Sequence, residues 1–267
     1  MKSLNNALLI NPYGLYNTGS ICYMNSLLQV LASCTSILEY DDNESTILKD
    51  YIHMIKKDNI GSNLYISQHI VENIHRSFSL FGNGQESASE ALILLLDKEK
   101  KLTELFTCRT RYKIYCINCN YSTEEQKDYT VIFNIFHTKN LTSKDILVHI
   151  SKLNDYKCDK CNKTDYIYKK SKVTMLSEII VCAFNIYHQK TLHNFPLSLT
   201  FPGKNNEILE YEAVGQIEHF GSLNGGHYTS RALRKNGIYY FNDSLFHPSI
   251  IEPTENTYLV FYHYKKI

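Results

Sequence analysis

The order of apolar and polar residues predicts helices in the first part of the chain. Between Cys22 and Lys101, apolar residues recur at spacings of three and four, which lets a helix bury one face. Two stripes are clearest, one formed by Leu27, Val30, Leu31 and Cys34 and the other by Ala88, Leu92, Leu95 and Leu96. We therefore expect a helical lobe over residues 1 to about 105.

The second part of the chain has the pattern of β-strands. From Phe106 onward, β-branched and aromatic residues alternate with polar ones, most clearly in residues 178–187, 211–220, 238–241 and 258–264. Asn236-Gly237 lies between two such runs and predicts a two-residue hairpin, because both central positions of a type I′ turn need positive φ. Helices followed by strands predict a single α+β domain over residues 1–267, with an active site in the cleft between the two parts.

Composition excludes several classes of protein. The 28 basic and 27 acidic residues nearly cancel, which argues against nucleic acid or an anionic membrane as a partner. The chain has no run of about 18 apolar residues, and its first residues lack the pattern of a signal peptide. We expect a soluble monomer in the cytoplasm, with the nucleus as the alternative. The 21 tyrosines and the absence of tryptophan are typical of an AT-rich genome, such as that of a large DNA virus or a parasite.

Eight cysteines in a protein without a signal peptide are more typical of thiols, metal ligands or a nucleophile than of disulfides. Cys22 is the candidate nucleophile, because it lies at the predicted start of a helix, where the helix dipole favours a thiolate. Gly14 and Gly19 bracket a turn that can present Cys22 outward, and Asn17 supplies an amide that can donate to an oxyanion. The alternative is a buried packing residue.

A thiolate catalyst needs a base and a group that orients that base. His227 follows two glycines, Gly225 and Gly226, at the entry to a predicted strand. Asn242 and Asp243 follow the strand that the hairpin pairs with it, so we expect them near His227. The alternative is that Asn242 and Asp243 only form a turn.

Two Cys-x-x-Cys pairs, Cys116 with Cys119 and Cys158 with Cys161, have the spacing at which both thiolates face one metal ion. Together they predict one structural Zn²⁺ per chain, and the 38 residues between the pairs predict an excursion through strands. The alternative is four free thiols in a reducing compartment. Cys34, Cys108 and Cys182 are expected in or near the core.

Four segments together resemble one family, the ubiquitin-specific proteases, which are papain-like cysteine peptidases. The segment GLYNTGSICYMNSLLQVL (14–31) resembles their cysteine box and GQESASEALILLL (84–96) their glutamine-rich box. HFGSLNGGHYTS (219–230) resembles their histidine box, and YYFNDS with YLVFYHYK resembles their closing segments. The resemblance spans nearly the whole chain. It implies a helical thumb up to about residue 105, followed by a β-rich palm and zinc-bearing β fingers with knuckles at 116–119 and 158–161.

The resemblance also implies a role for each matched residue. The chain is expected to be a thiol-dependent deubiquitinase, with ubiquitin or ubiquitinated proteins as partner and a bond after the C-terminal glycine of ubiquitin as target. In this hydrolase, the catalytic residues are Cys22 as nucleophile, His227 as general base, Asn242 as orienting residue, Asn17 as oxyanion amide and Asp243 as assisting acid. The substrate-binding residues are Gln85, Glu90, His219, Gly225, Gly226 and Tyr228. In that family the zinc-bearing fingers grip the globular body of ubiquitin.

The chain departs from the family pattern at several positions. Ser20-Ile21 replaces the usual Asn-Thr before the cysteine, Ser87 replaces an aspartate that helps to hold the basic tail of ubiquitin, and Ala91 replaces an aromatic residue. Two alternatives follow, a silent ubiquitin-binding module and a protease for another ubiquitin-like modifier. A zinc-ribbon protein that binds nucleic acid is disfavoured by the net charge and the absence of a basic-aromatic pattern. The lysine-rich stretch 169–172 is expected to be a solvated strand edge.

Overall fold

The computed structural model describes residues 5–6, 9–17, 19–39, 48–56, 69, 72–74, 76, 86–135, 139–184, 186, 190–222 and 225–265. Before the first strand, the helices whose bounds lie in these residues are α1 Cys22–Leu31, α2 Thr35–Leu38, α3 Lys49–Lys56, α4 Ala88–Lys98 and α5 Lys100–Phe106. Residues 69, 72–74 and 76 are also helical. A short helix, α6 Ser143–Leu147, lies among the strands. The helices predicted between residues 22 and 101 are therefore confirmed where the chain is described.

Thirteen strands follow in the described residues: β1 Cys108–Cys116, β2 Tyr121–Ser122, β3 Gln126–Thr130, β4 Phe133–Ile135, β5 Val148–Lys152, β6 Ile167–Met175, β7 Ile179–Phe184, β8 Ser198–Pro202, β9 Ile208–Ser222, β10 Gly225–Arg234, β11 Gly237–Asn242, β12 Leu245–Pro248 and β13 Thr257–Lys265. They form a small sheet in the order β2-β1-β6-β5, with β3 also on β1, and a large sheet in the order β12-β11-β10-β9-β13-β7-β4, with β8 also on β9. The α+β fold class is confirmed.

The large sheet supports α1. Strand β7 is buried at every residue and β13 at all but its last, as expected for apolar strands covered on both faces. Helix α1 packs across β9, β10 and β11, and all ten of its residues are buried. A Cβ on Gly215 of β9 would lie 2.4 Å from Cγ1 of Val30, so a glycine there lets the helix approach the sheet closely.

The hairpin β10–β11 is confirmed, but its turn differs from the expected type I′ turn. Arg234 pairs with Gly237, which leaves Lys235 and Asn236 as the loop residues. Gly237 has a φ of +123°, whereas Asn236 does not have positive φ. The glycine thus opens β11 instead of forming the second central position of the turn. The pairing still brings the start of β10 to the end of β11.

Two other expectations concern charge and cysteine. Strand β6 lies between β1 and β5, so the expectation that residues 169–172 form a strand edge was wrong. The sequence did not reveal that the chain returns as β5 to cover that side.

The core positions of Cys34, Cys108 and Cys182 are confirmed, and burial raises the pKa of each thiol. Within the described residues, no helix has the length and apolar character needed to cross a membrane.

Candidate active site and candidate metal centre

Cys22 is the first residue of α1 and lies against the start of β10. The backbone N–H of Tyr228 donates to Cys22 Sγ at 3.5 Å. Only 3% of Cys22 is exposed, so the expectation that the turn presents it outward was wrong, because β10 covers it. The position combines a hydrogen bond to sulfur with the positive end of the helix dipole, and both favour the thiolate.

His227 and Asn242 meet across the β10–β11 hairpin. His227 Nε2 lies 2.7 Å from Asn242 Oδ1. A carbonyl oxygen only accepts, so Nε2 carries the hydrogen in this contact, and in a neutral ring Nδ1 then carries the lone pair. Tyr228, the residue after His227, contacts the thiol of Cys22. The structure therefore brings the backbone next to His227 against the thiol and the amide of Asn242 against the imidazole.

Asp243 connects the loop before α1 to the end of β11. Its Oδ2 accepts from Asn17 Nδ2 at 3.0 Å, and its Oδ1 accepts from Asn25 Nδ2 at 2.7 Å. Asn17 Oδ1 in turn accepts the backbone N–H groups of Gly19 at 2.9 Å and Ile21 at 3.4 Å. These two donors fix which end of the Asn17 amide faces Asp243.

Backbone contacts support the same junction. The N–H of Leu15 donates to the carbonyl of Asp243 at 2.8 Å. A Cβ on Gly14 would lie 2.2 Å from the carbonyl oxygen of Ser244, so only glycine permits this approach. Ser20 has a φ of +53°, a left-handed conformation that asparagine adopts more readily than serine. The loop that carries Asn17 is thus held against the turn that follows Asn242.

His219 and Tyr228 lie side by side on β9 and β10, with ring centroids 4.5 Å apart. A Cβ on Gly226 would lie 2.4 Å from His219 Nε2, so Gly226 makes room for this ring. Gly225 pairs with Ser222 where β9 connects to β10, at the loop end of the same hairpin. Burial, together with electrostatic repulsion from Lys190, lowers the pKa of His219 to about 4. His219 is therefore neutral at pH 7.

The start of α4 faces the same region through hydroxyl groups. Ser87, the residue before α4, has Oγ 2.8 Å from Tyr258 OH and 3.0 Å from Ser89 Oγ. The rings of Tyr258 and Tyr228 are 6.1 Å apart, which joins this cluster to the residues beside Cys22. Glu90 is exposed on the first turn of α4. Gln85 lies outside the described residues.

The four predicted metal ligands come together at one end of the small sheet. The Sγ atoms of Cys116, Cys119, Cys158 and Cys161 all lie within 4.8 Å of one another. The separation is 3.6 Å between Cys116 and Cys161 and 3.7 Å between Cys119 and Cys158. A tetrahedral zinc site with Zn–S bonds of about 2.3 Å has sulfurs about 3.8 Å apart. The arrangement therefore fits Zn²⁺.

The surroundings of the sulfurs support metal binding. Each knuckle is followed by an asparagine with positive φ, Asn120 at +56° and Asn162 at +59°, which turns the chain back after the second cysteine. The backbone N–H of Lys163 lowers the pKa of Cys161 to about 6, and Asn118 Nδ2 lies 3.6 Å from its sulfur. The strands β2 to β5 lie between the two knuckles, as the excursion predicted.

Sequence reasoning missed a buried polar stripe that begins on α1 and ends at Ser33, two residues after the helix. Asn25, Gln29 and Ser33 recur every fourth residue within an otherwise apolar run and are all buried. Gln29 Nε2 donates to the carbonyl of Tyr13 at 2.7 Å, and Ser33 Oγ accepts from Arg234 Nη1 at 2.9 Å. The spacing of four was visible in the sequence, but its partners lie in distant segments.

Arg234, at the end of β10, is fully buried and was also missed. Its Nη2 donates to the carbonyl of Gln29 at 3.0 Å and contacts Oε1 of the same side chain. Its guanidinium lies 4.6 Å from the centre of the Phe241 ring. Arg234 thus joins α1 to the β10–β11 hairpin, which carries His227 and Asn242.

Comparison with known proteins gives a family and a fold. The family described as "UCH: Ubiquitin carboxyl-terminal hydrolase" matches residues 13–262. Among curated proteins, Ubiquitin carboxyl-terminal hydrolase 36 of Drosophila mojavensis is 22% identical, over 93% of this chain and 26% of that protein. Ubiquitin carboxyl-terminal hydrolase 4 of Saccharomyces cerevisiae is 21% identical, over 94% of this chain and 39% of that protein. The chain thus spans less than half the length of these relatives.

Solved structures share the fold. The SAGA DUB module Ubp8/Sgf11/Sus1/Sgf73 bound to monoubiquitin matches with a TM-score of 0.72 and 19% identity, over 96% of this chain and 70% of the matched chain. The same module bound to ubiquitin aldehyde matches with a TM-score of 0.69 and 19% identity, over 96% and 70% of the two chains. The combination of helices and two sheets described above is therefore the fold of these chains.

Proposed function

From the premise that this chain belongs to the ubiquitin carboxyl-terminal hydrolase family, we propose that it is a thiol protease that cleaves the isopeptide or peptide bond after the C-terminal glycine of ubiquitin. The observation that carries the proposal is the site at the start of α1. There the N–H of Tyr228 donates to Cys22 Sγ at 3.5 Å, and His227 Nε2 lies 2.7 Å from Asn242 Oδ1. Thiol, base and orienting amide are the groups that cysteine-type acyl transfer requires.

In the proposed reaction, His227 accepts the thiol proton of Cys22 at Nδ1. Asn242 holds Nε2–H and keeps the ring in the tautomer that accepts at Nδ1. The thiolate then attacks the carbonyl carbon of the C-terminal glycine. His227 returns the proton to the leaving amine, and water hydrolyses the resulting thioester and releases ubiquitin.

Asn17 is the proposed oxyanion donor. An amide nitrogen carries two hydrogens, and Asp243 accepts one of those on Asn17 Nδ2 at 3.0 Å. The other is available to the oxyanion, together with backbone N–H groups at the start of α1. Asp243 is proposed as a positioning residue, because it orients this amide and does not contact the reacting carbonyl.

We assign the tail of the substrate to the space between α4 and the start of β10. His219, Gly225, Gly226 and Tyr228 contribute from the β9–β10 hairpin, and Glu90 contributes from α4. Gln85 keeps the role that the family resemblance implies. The four-cysteine cluster is proposed to hold one Zn²⁺, which stabilises the small sheet, because four thiolates leave no open position for catalysis.

A second candidate substrate, another ubiquitin-like modifier, is favoured by one observation. Ser87 stands where the family has an aspartate, and its hydroxyl is engaged with Tyr258 at 2.8 Å and Ser89 at 3.0 Å. A neutral hydroxyl cluster attracts a basic tail less strongly than a carboxylate does. The hydroxyl cluster around Ser87 is thus proposed to affect which modifier binds, and not the reaction at Cys22.

The test is steady-state hydrolysis of ubiquitin carrying a fluorogenic amide at its C-terminus, beside the same derivative of other ubiquitin-like modifiers. We expect release of the fluorophore from ubiquitin, and loss of release in Cys22→Ala with binding of free ubiquitin retained. Release from another modifier alone would show that this modifier, and not ubiquitin, is the substrate, while the proposed cysteine chemistry would stand. Binding of ubiquitin without hydrolysis would identify a silent module and overturn the proposal.

A further inference from the structure

The register of the small sheet gathers basic residues on one face. Side chains that are directly opposite across neighbouring strands lie on the same face. Arg111 is opposite Lys127 on one side and Lys172 on the other, and Lys113 is opposite Lys170. With Arg109 and Lys152 in the same alternation, the cations of this basic face are Arg109, Arg111, Lys113, Lys127, Lys152, Lys170 and Lys172. Its β5 side also carries Val148 and Ile150, opposite Lys172 and Lys170.

The basic face violates the usual rule of cross-strand pairing. Like charges directly opposite each other have Cβ atoms about 4.5–5.5 Å apart and destabilise a sheet. The row Lys127, Arg111, Lys172 places three cations side by side. Within the described residues, Arg111 alone of the seven cations has an ion pair, with Glu125 at 3.1 Å. In the part of the chain that the structure describes, the other six cations form no ion pair.

The opposite face of the same strands is different. There Lys169 Nζ lies 3.0 Å from Asp128 Oδ2 and 4.0 Å from the centre of the Tyr112 ring. That lysine is therefore neutralised within the sheet. The contrast between Lys169 and its neighbours Lys170 and Lys172 shows that the uncompensated charge belongs to one face and not to the strand as a whole.

Aromatic rings lie among the cations. Tyr129 is opposite Arg109 and is 65% exposed, a large value for an aromatic residue in a sheet. Tyr115 and Tyr168 are opposite each other, and Tyr168 is opposite Lys152. Tyr115 is exposed and Tyr168 is half-buried. Aromatic rings that reach the surface among Lys and Arg on an antiparallel sheet are the combination that binds single-stranded nucleic acid, with phosphates on the cations and bases stacked on the rings.

We propose that the basic face of the small sheet, with Tyr115, Tyr129 and Tyr168, binds single-stranded nucleic acid. The near-zero net charge argued against such a partner, but it averages over the whole chain. Seven of the 28 basic residues lie on this one face. The proposal goes beyond the proposed hydrolase activity and does not depend on it.

The test is fluorescence anisotropy with the full chain and fluorescein-labelled oligouridine and oligothymidine of 20 nucleotides, across a range of NaCl concentrations. The binding constant should fall with salt, with a logarithmic slope of about −0.7 for each phosphate contacted. Lys170→Gln/Lys172→Gln should make the slope less negative by about 1.4, since two contacts are lost. Tyr129→Ala/Tyr168→Ala should weaken binding about tenfold or more at an unchanged slope, because stacking is not screened by salt.

The matched control is Lys100→Gln/Lys204→Gln, which removes the same charge from exposed positions outside the basic face and should bind like the parent chain. Affinity for a duplex equal to that for the single strands would overturn the proposal. Equal affinity for polyglutamate of the same charge would also overturn it, and would indicate an acidic protein as the partner of this face. Binding that the basic-face variants leave unchanged would overturn the proposal as well. If those variants instead raise KM for the ubiquitin substrate, the face belongs to the substrate site and the proposal is also overturned.

Discussion

The amide of Asn17 and the carboxylate of Asp243, 226 positions apart in the chain, are joined by a hydrogen bond of 3.0 Å. The second carboxylate oxygen accepts from Asn25, one turn after Cys22 in α1. One carboxylate thus joins the helix of the proposed nucleophile to the proposed oxyanion donor and to the strand of Asn242. The geometry of the site depends on this junction as well as on Cys22, His227 and Asn242.

Replacing Asp243 tests this junction. In Asp243→Asn, one of the two acceptors becomes a donor that faces another amide donor, so Asn17 loses its orientation. We expect kcat for the ubiquitin substrate to fall about 100-fold with KM nearly unchanged, because loss of one oxyanion donor costs about 10²–10³ in kcat. Asp97→Asn, on the exposed side of α4, is the control and should keep the parent kcat. If Asp243→Asn has the same kcat as the parent chain, the hydrogen bond between Asn17 and Asp243 does not contribute to catalysis.

The metal site gives a prediction about stability. We expect one zinc per chain by elemental analysis, and its loss in Cys161→Ser. Without the metal, the knuckles lose the bonds that hold them together, and the melting temperature should fall by on the order of 5–10 °C. Cys34→Ala, a core cysteine outside the cluster, should keep the zinc even where it lowers stability. A folded parent chain without metal would contradict the zinc assignment.

His219 gives a pH dependence of stability. Its pKa is lowered to about 4 in the folded chain, against about 6.5 for an unperturbed histidine. Between these values the unfolded chain binds a proton that the folded chain does not, so the free energy of unfolding falls as the pH decreases from about 6.5 to 4, by on the order of 2 kcal/mol. Urea unfolding at pH 7, 5.5 and 4.5 measures this change.

His219→Gln is the variant that isolates the contribution of His219. This variant should lose less stability at low pH than the parent chain does. Part of the loss should remain, because burial also lowers the pKa of His263. If the variant and the parent lose stability in parallel between pH 7 and 4.5, His219 is not protonated in the way its environment predicts.

Arg234 gives a prediction about packing. In Arg234→Met, the carbonyl oxygen of Gln29 loses a donor at 3.0 Å and its side-chain Oε1 loses the contact with Nη2, both in a buried site. We expect the free energy of unfolding to fall by about 3 kcal/mol or more, because unsatisfied buried acceptors cost about 1–3 kcal/mol each. Arg234→Lys keeps the positive charge but lacks the planar guanidinium. Its free energy of unfolding should lie between those of the parent and Arg234→Met. A variant as stable as the parent would show that Arg234 does not hold α1 to the hairpin.

The sequence predicted the features that local spacing determines. The helix after Cys22, the two knuckles and the β10–β11 hairpin depend on residues close together in the chain, and each is found in the structure. The hairpin also predicted that Asn242 lies near His227, and their side chains are in contact in the structure. The family resemblance supplied the roles expected of these two residues.

Features that depend on distant pairing were not predicted. The expected strand edge at 169–172 became an interior strand because β5 pairs with it, and no local pattern marks that pairing. The basic face arises only when four strands align in one register. The polar stripe of Asn25, Gln29 and Ser33 was not predicted, because its partners Asp243 and Arg234 lie more than 200 residues away in the sequence.

The most direct test of the account is reaction of the purified chain with a ubiquitin probe that carries a thiol-reactive group at its C-terminus, followed by mass spectrometry of the adduct. The account predicts one ubiquitin per chain, attached to Cys22, and no adduct in Cys22→Ala. An adduct that persists in Cys22→Ala, or a folded chain that binds ubiquitin and does not react, would contradict the assignment of Cys22 as the nucleophile.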